Sequence, residues 1–277
     1  VASRLDGARM LGDVALLSHD SMEGRGAGTA GGARARRWLL AEYGRIGLEP
    51  GAGFEQRFAL DGGDDGVNLV GTIPGRTRPD RVLVLGAHYD HLGTRRGAVY
   101  NGADDDASGV AAVLELARRF RAHPPASTVV VVLFDAEERG TEGSAALVRA
   151  PPVPLDRVAA VVNLDMVGRN AAGELWIAGP AHWPKLGPVA EVAAARSRLR
   201  VRLGHDGPGR DDWTFASDHG PFHAAGVPFL YFGEEDHPDY HRPTDDVERI
   251  QPEFLHKAAE TVLDALLVLD TLTAPTR

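Results

Sequence analysis

The feature that most constrains this fold is an unbroken apolar run, Val129 to Phe134, that precedes two adjacent carboxylates, Glu137 and Glu138. An apolar segment without polar alternation is typical of a strand in a sheet that is covered on both faces. Open α/β sheets bind their ligands beyond the carboxyl ends of such strands. Neighbouring carboxylates repel each other, so a pair at that position needs a nearby cation or a raised pKa. The pattern favours a metal beside one carboxylate, with the other left free as a base.

Strand and helix patterns alternate through most of the chain. Further strands are predicted at 81–87, 158–164, 175–178 and 227–232, and an acidic turn between short strands at 61–66. Amphipathic helices are predicted at 8–23, 32–47, 108–123, 142–148 and 252–269. This alternation predicts one α/β domain over residues 1–277, a three-layer α/β/α sandwich around a mixed, mostly parallel sheet.

The composition narrows the functions that this fold can serve. With 277 residues the chain is long enough for one large α/β domain. A net charge of -9 argues against a nucleic-acid partner, which would need a basic surface. Without cysteine, a metal must be held by His, Asp or Glu, which suits zinc, manganese or a similar divalent ion. No segment is apolar over the length of a membrane span. No signal-peptide pattern begins at Val1, although a chain without an initial Met can have lost one.

Candidate metal ligands follow predicted strands or lie in glycine-containing loops. Taken singly, each has an ordinary explanation, because a lone His is usually hydrogen-bonded and an Asp run before a helix favours the helix dipole. Their concurrence at one expected edge of the sheet favours a shared site. The segments are His88–His91, Asn101–Gly109, Glu137–Glu138, Asn163–Met166 and Asp239–Pro243.

The order of these segments resembles that of the M28 zinc peptidases, a group of aminopeptidases with two co-catalytic zinc ions. The resemblance runs from Leu17–Arg25 to the closing helix and covers nearly the whole chain. It implies the α/β/α fold of the zinc exopeptidases, which is phosphorylase/hydrolase-like. The segments that carry it are, in chain order, GAHYDH, GADDDASG, DAEERGTEGS, NLDMVG, SDHGPFHAAGVP and DYHRPTDD.

The resemblance implies a centre of two Zn²⁺ ions, whose ligands also suit other divalent ions such as manganese or cobalt. One ion would be held by His88 and Asp165, and the other by Glu138 and His241. Asp105, the middle residue of its Asp triplet, would bridge the two ions. The peptide bond after this bridging residue is typically cis in the family.

Two catalytic roles are implied in the same way. Glu137 would be the general base, which takes a proton from the attacking water and passes it to the leaving amine. Tyr240 would donate a hydrogen bond to the developing oxyanion. The resemblance therefore assigns different tasks to the adjacent carboxylates, which the residues alone leave interchangeable.

Hydrogen-bond partners are expected behind the two imidazole ligands, because a metal-bound His commonly donates its other N–H to a carboxylate or carbonyl. Asp90, two residues past His88, is the expected carboxylate for that ring. Ser217 or Asp218 is expected to play the corresponding part for His241.

Other side chains near these segments have ordinary roles in the prediction. His91 is expected to support the ligands or to lie at the surface, and His237 is a weaker rival to His241 as a ligand. The residues that would line an S1 pocket for apolar N-terminal side chains are Trp213, Phe215 and Phe222.

The predicted function is the metal-dependent release of N-terminal residues from peptides that have a free N-terminus. Alternatives on the same fold are glutaminyl cyclase chemistry with one zinc, and dipeptidase or carboxypeptidase chemistry. The Asp triplet and the Glu pair favour the peptidase. An inactive binding protein would be expected to have lost ligands, whereas each ligand position here is filled. Export of bacterial relatives favours a periplasmic or secreted location, while the oligomeric state and the preferred N-terminal residue stay open.

Overall fold

The apolar strand segments form one eight-stranded sheet in the computed structural model, which describes residues 4–60, 62–209 and 211–272. Its strands are β1 (Glu55–Ala59), β2 (Asp65–Ile73), β3 (Arg78–His88), β6 (Ser127–Phe134), β7 (Val158–Leu164), β8 (Glu174–Ala178), β9 (Arg200–Leu203) and β10 (Phe229–Gly233). A separate two-stranded sheet is formed by β4 (Gly93–Arg95) and β5 (Ala98–Tyr100). The order in the large sheet is β1-β2-β6-β3-β7-β10-β8-β9.

The centre of this sheet is parallel and its flanks are mixed. Strands β6, β3, β7 and β10 are neighbours and run parallel. The β1–β2, β2–β6 and β10–β8 pairs are antiparallel, whereas β8 and β9 are parallel. The predicted α/β sandwich with a mixed, mostly parallel sheet is therefore confirmed.

Helices cover both faces of the sheet. They are α1 (Gly7–Leu17), α2 (Ala30–Ile46), α3 (Gly109–Ala122), α4 (Glu142–Arg149), α5 (Gly187–Arg196), α6 (His219–Ala224) and α7 (Pro252–Thr271). Leu83 and Leu85 of β3 point into one core, with α1, α2, α3, α5 and α7. Val82 and Val84 point into the other, with Leu147 of α4 and Phe222 of α6. Because both faces are buried, the central strands need an apolar residue at nearly every position.

The first helix is shorter than the pattern predicted. A single helix over 8–23 is wrong, since α1 ends at Leu17 and a 3₁₀ segment follows. Glu23 and Gly24 have positive φ values, which a continuous right-handed helix does not contain. The buried side chain of Arg25 donates to the Leu17 carbonyl and so satisfies one of the free acceptors at the end of the helix.

The elements that were not predicted are the small strands β4 and β5, helices α5 and α6, and strand β9. The acidic turn does connect two strands, β1 and β2, although its Asp61 lies outside the described residues. No helix within the described ranges combines the length and the apolar character needed to cross a bilayer.

Candidate metal centre and active site

The candidate ligands meet at the carboxyl ends of adjacent parallel strands. His88 is the last residue of β3, Glu137 and Glu138 follow β6, and Asp165 follows β7. These strands are neighbours in the sheet and point the same way, so their ends lie along one edge. Side chains from two loops, which contain Asp105 and His241, complete the group.

The first cluster consists of His88, Asp105 and Asp165. Nε2 of His88 lies 3.2 Å from Asp105 Oδ1 and 3.4 Å from Asp165 Oδ1. Nδ1 of the same ring lies 3.1 Å from the Asp90 carbonyl oxygen, which can only accept, so in the neutral ring Nδ1 carries the proton. The lone pair of Nε2 therefore faces two carboxylate oxygens. Acceptor atoms that converge on one point in this way can bind a cation.

Asp105 also belongs to a second cluster, with Glu138 and His241. Nε2 of the half-buried His241 lies 3.2 Å from Asp105 Oδ2 and 3.1 Å from Glu138 Oε2. His91 is buried here, with Nδ1 2.6 Å from Glu138 Oε1, so the surface position considered for His91 is wrong. The sequence signal that singles out this ring is only its spacing of three residues from His88. The two oxygens of Asp105 thus face different clusters.

The electrostatics of Asp105 and His241 reflect this contact. Burial alone would raise the pKa of Asp105, but the surrounding imidazoles of His91, His241 and His88 hold it well below its usual range. Burial alone would lower the pKa of His241, but the carboxylates of Asp105 and Glu138 raise it to about 10. Each group is therefore stabilised in its charged form by the other.

A tight turn after β6 sends the adjacent Glu side chains to different neighbours. Ala136 has a φ of 58°, and a single 3₁₀ turn follows it. Burial and nearby carboxylates raise the pKa of Glu137 well above its usual range, against the opposing effect of His88. Burial also acts to raise the pKa of Glu138, but the imidazoles that Glu138 contacts bring it below its usual value. The turn places the Glu138 carboxylate among the candidate ligands and the Glu137 carboxylate beside them.

Asp90 links the two halves of the site. Its backbone carbonyl, not its carboxylate, accepts the hydrogen bond from His88, and the carboxylate Oδ1 lies 3.7 Å from His88 Nδ1. That carboxylate accepts the backbone N–H of Glu137 at 3.0 Å. One residue therefore orients the imidazole of β3 and fixes the turn after β6.

The Asp triplet divides its side chains among three tasks. Asp105 faces both clusters. Asp106 accepts the backbone N–H of Gly109 at the start of α3, at 2.9 Å, and that of Met166 at 3.1 Å, so the helix-dipole explanation fits Asp106 alone. Asp104 Oδ1 accepts a backbone N–H at 2.7 Å. The peptide bond between Asp105 and Asp106 is cis.

His237 contacts Asp104 rather than either cluster. Its Nε2 lies 3.2 Å from Asp104 Oδ2, and Asp104, Glu234 and His237 together have the spacing of metal ligands. However, Nδ1 of His237 accepts the backbone N–H of Asp239 at 3.2 Å, so in the neutral ring the proton lies on Nε2. A protonated nitrogen is a donor toward Asp104 and has no lone pair for a metal. This argues against the rival role of His237.

The structure places Tyr240 in the site, but among the described residues neither Ser217 nor Asp218 makes a hydrogen bond with His241. The ring of Tyr240 stacks on that of His241 with centroids 3.9 Å apart, and burial raises the pKa of Tyr240 above its usual value. The Ser217 hydroxyl accepts from the Asn163 amide at 3.0 Å. Asp218 is buried, burial raises its pKa to about 7, and no described hydrogen bond joins it to His241.

A cavity opens beside the clusters, with apolar walls formed by Met166, Trp213 and Tyr231. Trp213 therefore stands where an S1 wall was expected. Phe222 is only 1% exposed and packs on Phe134 with ring centroids 6.2 Å apart, so its predicted place in the pocket is wrong. Phe222 of α6 is part of the core cluster that also contains Phe134 of β6.

The residues of the two clusters fit divalent cations. Asp105 Oδ2, Glu138 Oε1 and both ring nitrogens of His91 are buried, and although some of them lie within ion-pair distance of a partner, none makes a well-aligned hydrogen bond within the described chain. Buried polar atoms are normally satisfied, so such a group of carboxylate oxygens and ring nitrogens without hydrogen bonds fits the binding of a cation. Carboxylate oxygens and imidazole nitrogens are the ligands that zinc takes in the absence of cysteine.

The fold and the clusters define an α/β protein with a carboxylate–imidazole metal centre at the carboxyl edge of its sheet. The chain belongs to peptidase family M28, whose sequence model matches residues 68–266. The match covers His88, the Asp triplet, the Glu pair, Asp165 and His241.

Relatives with assigned names are similar over part of their length. The chain is 33% identical to the aminopeptidase YwaD of Bacillus subtilis over 202 residues, which are 68% of this chain and 41% of that protein. It is 32% identical to a probable zinc metalloprotease of Pyricularia oryzae over 212 residues, 69% of this chain and 41% of the relative. The chain thus spans about two fifths of the length of these curated relatives.

Solved structures share the fold. An aminopeptidase from Aneurinibacillus sp. strain AM-1 superposes with a TM-score of 0.77 at 19% identity, over 95% of this chain and 93% of that one. A Porphyromonas gingivalis glutaminyl cyclase superposes with a TM-score of 0.75 at 23% identity, over 96% of this chain and 99% of that one. A zinc aminopeptidase from Bacillus subtilis superposes with a TM-score of 0.63 at 29% identity, over 73% of this chain and 50% of that one.

Proposed function

We propose that this chain is a zinc-dependent aminopeptidase with two metal ions, acting on peptides that have a free N-terminus. The observation that carries the proposal is the position of Asp105, whose two oxygens face separate carboxylate–imidazole clusters. A single-ion site needs no such shared carboxylate. The names of the relatives, aminopeptidase and zinc metalloprotease, support the same activity.

The ligands are assigned to two ions that share one carboxylate. His88 and Asp165 would hold one ion, Glu138 and His241 the other, and Asp105 both. Three carboxylates then face four positive charges. When bound, the ions would polarise the scissile carbonyl and lower the pKa of a water toward neutrality. His91, in contact with Glu138, would keep that carboxylate in place.

The chain's own residues would handle the proton. Glu137 lies beside the first cluster without being one of its ligands, and its pKa is raised by burial, so it suits a base that takes a proton and returns it. It would pass the proton to the leaving amine nitrogen. Tyr240, whose phenol stays protonated, would donate to the oxygen on which negative charge develops. Asp90 would hold the turn of Glu137 in register with His88.

The shape and charge of the cavity support an N-terminal residue as the group that is bound. Met166, Trp213 and Tyr231 offer apolar walls for its side chain. Asp236 also lines the cavity and, being acidic, suits the positive charge of a free α-ammonium group. An apolar side chain next to a free amino group is therefore the substrate that we expect to be cleaved best.

The test is a panel of aminoacyl chromogenic amides, each paired with its N-acetylated form, assayed with zinc, after chelation and after zinc is restored. We expect cleavage that requires the metal and a free amino group. Equal cleavage of free and blocked amides would contradict the aminopeptidase. The similarity of this fold to that of a glutaminyl cyclase supports the alternative activity. A peptide amide with an N-terminal Gln distinguishes the two activities. Conversion of that amide to a pyroglutamyl product, with no release of chromogen from other residues, would establish the cyclase instead.

A further inference from the structure

Arg25 is a fully buried cation whose hydrogen-bond acceptors are all backbone carbonyls. Its Nε donates to the Tyr89 carbonyl at 2.9 Å and its Nη2 to that of Gly102 at 2.8 Å. Its Nη1 donates to the carbonyls of Leu17 at 2.8 Å and Asn101 at 2.6 Å. A buried charge is normally paired with an opposite charge, yet no carboxylate of the described residues forms an ion pair with this guanidinium. An ion pair is therefore not what this arginine provides.

Three of the four acceptors, the carbonyls of Tyr89, Asn101 and Gly102, belong to two of the chain segments that carry metal ligands. Tyr89 directly follows His88, and Gly102 directly precedes the segment 103–108 that contains Asp105. The planar guanidinium presents its N–H groups in fixed directions, so one side chain can hold both segments at a set separation. Gly102 has φ 54°, and a Cβ there would lie 2.1 Å from the Asp105 carbonyl oxygen, so the loop is packed against itself at this point.

The charge of Arg25 is also directed at the site. The carboxylates that act on it electrostatically are those of Asp105, Asp245, Asp106 and Asp90, while burial lowers its pKa. The fixed positive charge of Arg25 offsets the mutual repulsion of these four carboxylates, among them the proposed bridging carboxylate of Asp105. The backbone of Arg25 itself has φ 51°, a conformation that costs energy for a residue other than glycine.

We infer that Arg25 is a positioning residue for the metal centre, which fixes the bridging Asp105 relative to His88 by clamping the carbonyls that flank both. This inference rests on the proposed two-ion site. It gives a role to the segment Leu17–Arg25, which supplies no metal ligand and no group that lines the cavity.

The test compares three variants of the whole chain, Arg25→Met, Arg25→Lys and the control Arg118→Met. Arg118 is also a largely buried arginine, but its partners are the carboxylates of Asp13 and Glu42 on the helical face. For each protein, zinc binding to the metal-free form is measured by titration calorimetry, and unfolding in denaturant is measured without metal. Turnover with an aminoacyl amide is measured with zinc present.

We expect Arg25→Met to bind both ions at least tenfold more weakly and to turn over more slowly, while Arg118→Met loses stability but keeps wild-type affinity. The zinc affinity and turnover of Arg25→Lys should lie between those of the wild type and of Arg25→Met, because one ammonium group cannot reach the carbonyls of both segments. If Arg25→Met lowers stability but leaves both affinities and kcat unchanged, the residue is merely structural and the inference is overturned. If Arg25→Met does not fold, the decisive variant is Arg25→Lys. A folded Arg25→Lys with wild-type zinc affinity would also overturn the inference.

These outcomes are separable from a failure of the proposed function. A wild-type protein that binds fewer than two ions, or that does not cleave free aminoacyl amides, would refute the two-ion aminopeptidase whatever the variants do. A wild type that binds two ions and cleaves, beside an Arg25→Met of unchanged affinity, would refute only the clamp.

Discussion

Burial of His219 as a neutral imidazole should make the protein less stable in mild acid. Its ring lies against those of Phe229 and Tyr231, with centroids 4.6 Å and 4.7 Å apart. Nε2 donates to the Trp213 carbonyl at 2.8 Å, whereas Nδ1 is buried and makes no hydrogen bond to any described residue. A second proton would place an unsatisfied N–H and a charge in this apolar setting. Burial accordingly lowers the pKa of His219 to about 3.

The sign and size of the effect follow from the two pKa values. The pKa in the unfolded chain is about 6.5, so as pH falls the unfolded chain takes up the proton first. The contribution of His219 is fully present above about pH 6.5 and is lost progressively toward pH 3. One pH unit within this window is worth about 1.4 kcal/mol. From about pH 7.5 to about pH 5 the free energy of unfolding should therefore fall by about 2 kcal/mol through this residue.

The assay is denaturant unfolding of the metal-free protein at several pH values across this range. His219→Gln keeps an N–H donor for the Trp213 carbonyl but does not titrate, so its stability should decline about 2 kcal/mol less than that of the wild type. The exposed His123, replaced by Gln, is the control for the loss of a histidine outside the core. A difference between wild type and His219→Gln that stays constant with pH would refute the reasoning, because it would mean that the folded protein protonates this ring as easily as the unfolded chain.

Three further predictions concern the metal centre and the pocket. Glu137→Gln should retain its metal, as measured by elemental analysis, but lower kcat by about 10²–10⁴-fold; near-normal turnover would show that the base has been misassigned. Chelation should lower the denaturant midpoint, and the free energy of unfolding should fall by about 3 kcal/mol for each ion removed, relative to a metal concentration a hundred times the Kd; identical unfolding curves would count against an ion at the clusters. Phe222→Ala should cost about 3–5 kcal/mol of stability yet leave the ratio of Leu to Gly amide cleavage unchanged, since the ring packs on Phe134; a changed ratio would return Phe222 to the pocket.

The sequence predicts the centre of the fold better than its margins. Strands β3, β6 and β7 are buried on both faces, so their uninterrupted apolar runs carry a strong signal. Strand β9 is mostly exposed and rich in Arg, and α5 consists largely of small residues, so neither shows a clear pattern. The end of α1 depends on Arg25 and on backbone turns at Glu23 and Gly24. These are tertiary contacts, which hydrophobic periodicity does not contain.

The segments of the site could be predicted, but not which atoms meet. A ligand motif at a strand end predicts a position along one edge, and His88, Asp165 and the Glu pair lie there. The contact of His91 with Glu138 depends on how the loop after β3 folds back, and nothing in its spacing reveals it. The partner of Ser217 is Asn163 because the loop before α6 runs beside β7. The tautomer of His237 is set by the backbone of Asp239, two residues on.

The Glu137–Glu138 pair shows what tertiary structure adds to two identical residues. In the sequence they are adjacent, like-charged and interchangeable. In the fold, the left-handed conformation of Ala136 begins a turn in which the Glu137 N–H is fixed by Asp90. Glu138 then meets imidazoles, which lower its pKa, while burial among carboxylates raises the pKa of Glu137. Two titratable groups whose environments move their pKa values apart are the arrangement from which a ligand and a base are made. Their adjacency is therefore no liability, because the turn places the two carboxylates of one repulsive pair in different electrostatic environments beside the same clusters.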